Sequence, residues 1–249
     1  MTHSEPKALL RFEDVGVSFQ SAWKPWRATR KNWALSGVSF SLKRGESLGV
    51  IGRNGSGKST LLQVLADVLL PDKGHVYREP GVTAALLALK VGFLPHLTGR
   101  ENVYLSGMML GMRKSQISDR IEDIIEFSGL GERFDDPFFT YSSGMKMRLG
   151  FSSSFQFEPD ILLLDELLGV GDAAFKPKSA KVMRERIRSN ATVVMVTHNT
   201  ARIEDLCDRL IWIEAGKIMA DGQPSEVLPE YNDFIHQLKQ GNGVAGNTT

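Results

Sequence analysis

The stretch Gly52-Arg53-Asn54-Gly55-Ser56-Gly57-Lys58-Ser59 fits the pattern G-x-x-x-x-G-K-[ST] and decides the fold. It follows a predicted strand at 47–51 and precedes a segment whose leucines keep helical spacing. In such a setting, glycines let backbone N–H groups turn toward phosphate oxygens, and the start of the helix adds positive potential. The alternative is an ordinary glycine-rich turn, which the flanking strand and helix disfavour. The stretch therefore predicts a phosphate-binding loop.

The chemistry of the loop assigns roles to its residues. Lys58 is predicted to reach the β and γ phosphates of ATP, and the Ser59 hydroxyl to bind Mg²⁺. The residues of this segment predicted to bind the nucleotide are Gly52, Asn54, Gly55, Ser56, Gly57, Lys58, Ser59 and Thr60.

Two carboxylates follow an apolar run, in Ile161-Leu162-Leu163-Leu164-Asp165-Glu166. Such a run is typical of a buried strand, and the ligand-facing edge of an open α/β sheet lies where its strands end. Asp165 is predicted to hold Mg²⁺, and Glu166 to act as general base on the attacking water. The alternative, that the two charges only mark the end of a strand, is weakened by the phosphate loop.

His198 comes directly after the predicted strand 192–197, at the same edge of the sheet. A lone histidine is most often structural, but here the strand order predicts a position near the γ phosphate. We expect a catalytic sensing role.

The remaining pattern indicates an α/β fold with a mainly parallel sheet. Further predicted strands lie at 9–19, 38–43, 160–165 and 209–213. Between them, a helical subdomain is expected at about 95–158, opened by a capping box of Thr98 with Glu101. We expect one domain over 1–240 and a flexible tail at 241–249.

Composition excludes several classes of protein. The 249 residues carry 30 basic and 29 acidic side chains, so no overall charge favours nucleic acid as a partner. Cys207 is the single cysteine, which excludes an intramolecular disulfide. The first seven residues have neither the apolar core nor the small-residue cleavage site of a secretory signal, so we expect the chain to stay inside the cell. No apolar stretch approaches the roughly 20 residues of a membrane-spanning helix.

In addition to these motifs, the segment Tyr141-Ser142-Ser143-Gly144-Met145 resembles the signature sequence of the ATP-binding subunits of ABC transporters. The resemblance implies a P-loop NTPase core of the RecA type, an N-terminal antiparallel β subdomain and an inserted helical subdomain. It also implies a head-to-tail homodimer around ATP. In that dimer Ser142, Ser143 and Gly144 contact the γ phosphate held by the opposite subunit.

The same resemblance implies roles for scattered residues. Asp172, in Gly169-Val170-Gly171-Asp172, is expected to link the two sites of the dimer, and His198 looks like the family's switch histidine. Phe19 is the candidate for stacking on adenine; the alternative is a core aromatic.

Three segments resemble the subgroup that exports bacterial polysaccharides such as O-antigen, capsule and teichoic acid. They are 95–102, 141–145 and 169–175. The subgroup implies two copies of a membrane permease as partners, indirect contact with the polysaccharide, and a peripheral location on the cytoplasmic face of the inner membrane. The alternatives are export of a lipid, drug or peptide, or a non-transport ABC ATPase.

The sequence departs from the general family pattern at three positions. Ser143 and Met145 replace a glycine and a glutamine, as in the polysaccharide exporters, and Leu89 stands near the usual magnesium-contacting glutamine. The loop 90–98 is then expected mainly to contact the membrane subunit. Trp23, Trp26 and Trp33 lie among basic residues; a solvated hairpin is favoured over contact with lipid head groups.

Overall fold

The computed structural model describes residues 8–20, 31–86, 93–165 and 171–243. The strands are β1 (Ala8–Gln20), β2 (Lys31–Lys43), β3 (Ser47–Ile51), β4 (Lys73–Arg78), β5 (Ala84–Leu86), β6 (Ile161–Asp165), β7 (Thr192–Val196), β8 (Arg209–Glu214) and β9 (Lys217–Gly222). The helices are α1 (Lys58–Leu65), α2 (Gly99–Met109), α3 (Lys114–Ser118), α4 (Ile121–Ser128), α5 (Ser143–Gln156), α6 (Phe175–Arg188), α7 (Thr200–Leu206) and α8 (Pro224–Gly243). Two 3₁₀ turns, Gly131–Asp135 and Phe138–Thr140, precede α5.

A six-stranded sheet in the order β5-β6-β7-β3-β8-β9 forms the core. Its strands are parallel except for β9, which pairs antiparallel with β8. Every residue of β3 and β7 is buried, because helices or the second sheet cover both faces. Successive residues of β7 therefore serve two cores: Val194 packs with α1, whereas Val193 packs with α6.

The second sheet is antiparallel, in the order β2-β1-β4, and shares one apolar core with α1. Phe12 of β1 stacks on Phe40 of β2 with ring centroids 4.7 Å apart. Together, the two sheets hold α1 between them, which fixes the direction in which the loop before α1 points.

Helices α2 to α5 surround a third apolar core. The Thr98 side chain accepts from the Glu101 N–H, and the Glu101 carboxylate accepts from the Thr98 N–H, so the predicted capping box is confirmed. Ile117 and Ile121 are buried in this core and lie on two short helices, α3 and α4.

The fold class is confirmed, and several element boundaries differ from the prediction. The first helix ends at Leu65, and Val68 beyond it is 64% exposed, because the chain turns there toward β4. The sequence did not predict strands β4 and β5. Helix α8 runs to Gly243, three residues into the segment expected as a tail. Within the described ranges, no helix has the length and apolarity needed to cross a membrane.

Candidate nucleotide site

The loop between β3 and α1 has a backbone that requires glycine. Gly52, Gly55 and Gly57 have φ angles of 153°, 78° and 110°, which side chains disfavour. A Cβ on Gly52 would lie 2.0 Å from the Ile213 carbonyl oxygen, and one on Gly57 would lie 2.4 Å from that of Ala34. The glycine pattern of the sequence therefore corresponds to a tightly packed loop.

The side chain of Lys58 forms hydrogen bonds with the backbone of this loop. Its Nζ donates to the carbonyl oxygens of Gly52 at 2.8 Å and Arg53 at 2.9 Å, and the residue is only 7% exposed. These bonds hold the ammonium group at the wall of the cavity that the loop surrounds, where a phosphate oxygen would meet it.

The beginning of α1 suits an anion. Gly57 is its N-cap residue and provides no side-chain cap, and the first turn contains no acidic residue. The partial positive charge of a helix N-terminus is therefore not offset locally. Beside it, the Ser56 hydroxyl is buried and has no hydrogen-bond partner among the residues that the structure describes. A bound phosphate would satisfy such a donor, so the loop fits a nucleotide.

Two strand ends bring the other predicted groups to the loop. Asp165 at the end of β6 pairs in register with Val196 of β7, and His198 follows two residues later. The cavity between them measures about 230 Å³. It is lined by Ala34, Asn54, Gly55, Gly57, Lys58, Ser59, Thr60, Asp165, Val196 and His198. Sequence reasoning missed Ala34 among these, because its position depends on how β2 packs against the loop.

Ser59 and Asp165 line this cavity together and supply oxygen ligands of the kind that Mg²⁺ prefers. No group of three or more His, Cys, Asp or Glu residues suited to a metal occurs among the residues that the structure describes. Magnesium usually takes one or two protein oxygens and completes its shell with phosphates and water. The residue set therefore fits Mg²⁺ bound together with a nucleotide.

The signature segment begins helix α5. Ser142 is the N-cap residue, and its Oγ accepts from the Met145 N–H at 3.2 Å. Tyr141 before it is buried and donates its hydroxyl to the carbonyls of Arg133 and Phe134 at 2.7 and 3.0 Å. Burial raises the pKa of Tyr141 to about 12, so it remains a neutral anchor that fixes where α5 begins.

Asp172 lies beside the first turn of α5. Its carboxylate forms an ion pair with Arg148 of α5 and accepts from the Phe175 N–H at 3.0 Å. The hydrogen bond from Arg148 is the main reason that the pKa of Asp172 lies below its ordinary value of 3.8. A Cβ on Gly144 would be 3.7 Å from this carboxylate. The signature segment and Asp172 are thus one local unit.

This unit does not contribute to the cavity. The described residues that line the cavity come from β2, the phosphate loop, α1 and the ends of β6 and β7, and Ser142, Ser143, Gly144 and Asp172 are not among them. Ser142 and Ser143 are exposed. Arg148 was not singled out from the sequence, since nothing in its local pattern indicates a partner 24 residues away.

Of the remaining predicted residues, the structure describes some and not others. Phe19 lies on β1 opposite Asn32 and is 48% exposed, so the alternative of a core aromatic is wrong. It does not line the cavity described above. Glu166, Leu89, Trp23 and Trp26 lie outside the described residues.

Trp33, the last of the predicted tryptophan group, is 42% exposed. Its ring lies against Gly16 on the neighbouring strand, where an added Cβ would be 2.8 Å from the indole. One tryptophan thus packs partly onto the second sheet.

Comparison with known proteins agrees with this geometry. The sequence profile of the ABC transporter family matches residues 35–169, from β2 beyond the Asp165 strand. The chain belongs to the ABC transporter family. As an ABC-type ATPase it binds and hydrolyses ATP, so the predicted family and enzyme class are confirmed.

Relatives and solved structures agree with this assignment. The O-antigen export system ATP-binding protein RfbB of Klebsiella pneumoniae is 46% identical over 206 residues, 83% of each chain. The teichoic acids export ATP-binding protein TagH of Lactococcus lactis subsp. lactis is 42% identical over 208 residues, covering 84% of this chain and 44% of that protein. A solved ATP-binding cassette, a dimer in a post-hydrolysis state bound to ADP and Pi, shares the fold with a TM-score of 0.68 and 21% identity, covering 86% of this chain and 98% of that one.

Proposed function

We propose that this ABC ATPase is the ATP-hydrolysing subunit of an exporter that moves a lipid-linked bacterial surface polysaccharide across the inner membrane. The observation that carries the proposal is the 46% identity, over 83% of both chains, to an O-antigen export subunit. The 42% identity to a teichoic acid export subunit supports the same class of cargo, since both are surface glycans. The partner is a membrane permease, in two copies, and the chain is peripheral on the cytoplasmic face.

The residues of the cavity supply most of the proposed chemistry. Lys58 neutralises charge on the β and γ phosphates, while backbone N–H groups of the loop position them. Mg²⁺, held by Ser59 and Asp165, neutralises further charge on the phosphates when it is bound. His198 contacts the γ phosphate from the end of β7, and Glu166 accepts the proton of the attacking water.

The second half of each site comes from another copy of the chain. Ser142, Ser143 and Gly144 of one copy face the γ phosphate bound by the loop of the other, and Asp172 links the two sites. The exposure of Ser142 and Ser143 supports this arrangement, because both are accessible to a second chain. Phe19 stacks on adenine with its exposed ring. Closing on two ATP molecules moves the permease, and hydrolysis resets it.

A deletion strain tests the cargo and the ATPase separately. Loss of the gene removes a surface polysaccharide, the wild-type gene restores it, and a Lys58→Ala gene does not. Copurification with a membrane permease identifies the partner. If the deletion strain retains all its surface glycans while the purified protein hydrolyses ATP, the cargo assignment is wrong and the ATPase assignment stands.

A further inference from the structure

The turn between β8 and β9 contacts the phosphate loop from outside. Gly216 donates its N–H to the carbonyl oxygen of Ser56 at 2.9 Å, and its own carbonyl accepts from the Ser36 N–H at 2.8 Å. Through these two bonds, a single residue connects the loop to strand β2. Nothing in the phosphate-binding motif itself predicts this contact.

The contact fixes the orientation of one peptide group of the loop. In a trans peptide the C=O and the N–H point in opposite directions, and the described residues contain no cis peptide bond. A Ser56 carbonyl directed at Gly216 therefore directs the Gly57 N–H away from the turn. Gly57 lines the cavity and is the N-cap residue of α1, so its N–H is one of those available to a phosphate.

The packing around Ala34 makes this arrangement rigid. Its carbonyl oxygen would lie 2.4 Å from a Cβ on Gly57 and 2.7 Å from a Cβ on Gly216. The strand thus passes between the two glycines, and neither position has room for a side chain. Glu214, the last residue of β8 before the turn, has its carboxylate 3.7 Å from the guanidinium of Arg53 in the loop.

We infer that Gly216 is a positioning residue for ATP binding: it orients the Gly57 N–H toward the phosphates by holding the Ser56 carbonyl. The inference rests on the proposed function of the loop. Part of the geometry of the phosphate-binding loop thus depends on a residue more than 150 positions further along the chain.

Gly216→Ala tests this role, with Gly81→Ala as the matched control. Both glycines have similar positive φ angles, 78° and 81°, so an added methyl group strains both backbones alike. Only at Gly216 does the methyl group meet backbone, whereas at Gly81 it meets open space. We expect Gly216→Ala to weaken ATP binding about tenfold, the effect of losing one hydrogen bond to a charged group, and Gly81→Ala to leave it unchanged.

The measurements are calorimetric Kd values for ATP and adenosine, KM and kcat for hydrolysis, and Tm. A positioning role raises the Kd and KM for ATP more than it changes kcat, and leaves adenosine binding unaltered. A purely structural role lowers Tm while the Kd for ATP stays at the wild-type value, and that result overturns the inference. If wild-type protein fails to bind ATP, the proposed function fails instead.

A second variant covers the case in which Gly216→Ala does not fold. Gly216→Asn introduces a side chain that tolerates positive φ, which reduces the backbone strain but keeps the conflict with the Ala34 carbonyl. Weakened ATP binding in folded Gly216→Asn supports the role of Gly216. Wild-type affinity in this variant contradicts it.

Discussion

Two helices, α1 and α5, begin at segments that the sequence assigns to ATP, and they begin in different ways. Helix α1 starts at a glycine without a side-chain cap. Beside it lies the buried Ser56 hydroxyl, which has no hydrogen-bond partner in the described part of the chain. Helix α5 starts at Ser142, whose own hydroxyl caps it. The first helix start is open to an anion within a single chain. The second is already satisfied, and its polar side chains face outward.

This difference suggests that ATP binding and ATP hydrolysis depend on different regions of the chain. The phosphate loop has its cavity, its lysine and its magnesium-type ligands within one chain. The signature segment lies apart from that cavity and is held to Asp172 through Arg148. Under the proposed function, each chain alone binds ATP, and hydrolysis requires the signature segment of a second chain. Variants of the two regions should then fail in different ways.

Replacing Lys58 with Ala should produce the largest effect. The variant loses the charge-assisted bonds to phosphate and the two bonds that hold the loop, so ATP affinity should fall at least about 100-fold. Calorimetric titration measures the loss, with Lys73→Ala, which removes a surface lysine paired with Asp14, as the control. If Lys58→Ala retains the wild-type affinity for ATP, Lys58 does not bind the phosphates.

Glu166→Gln should separate the two steps most clearly. The amide cannot accept a proton from water, so turnover should fall about 100-fold or more while ATP remains bound. With hydrolysis blocked, ATP should trap the dimer, which size-exclusion chromatography with light scattering detects. A variant that hydrolyses ATP normally would show that Glu166 is not the general base.

The sequence predicted the regions with strong local patterns. The glycine loop, the apolar strand ending at Asp165 and the capping box at Thr98 each lie within a few consecutive residues, and the structure contains all three. Strand β5 has only three residues, too few to show a period. Strand β4 begins with Lys73-Gly74, and glycine is more typical of a turn than of a strand. Exposed and half-buried side chains alternate along β4.

Other features of the site depend on residues far apart in the sequence. Arg148 meets Asp172, and Gly216 meets Ser56, only after helices and sheets have packed. No spacing in a single sequence indicates such pairs. The sequence therefore predicted the residues that are proposed to bind ATP. It did not predict Arg148 and Gly216, which hold other residues of the site in place.

Ser142→Ala should affect turnover and spare binding. It removes the cap of α5, worth about 1 kcal/mol of stability, together with a hydroxyl proposed to meet the γ phosphate in trans. We expect hydrolysis to fall about tenfold and the Kd for ATP to stay unchanged. Thr98→Ala is the matched control, because it removes the cap of α2 without touching the signature segment. Equal hydrolysis in the two variants would limit Ser142 to capping.

The smallest effect is expected from Arg148→Gln, which tests whether Asp172 is held within its own chain. The ion pair lowers the pKa of Asp172 in the folded protein, so it stabilises the fold above the unfolded value of 3.8. This stabilisation is lost as pH falls through the lowered folded pKa. The variant should thus be less stable than wild type at pH 7, and the two should converge in stability as the pH falls below the lowered pKa of Asp172.

Urea unfolding at several pH values measures this difference, and carboxyl NMR shows whether the pKa of Asp172 rises toward 3.8 in the variant. The control is Arg100→Gln, which breaks the ion pair between Arg100 of α2 and Asp135. This ion pair is similar but does not involve the signature segment. If Arg148→Gln slows hydrolysis and Arg100→Gln does not, the ion pair positions Asp172 for the dimer. An unchanged pKa of Asp172 would show that the two side chains are not paired in solution, and the signature segment would then be independent of Asp172.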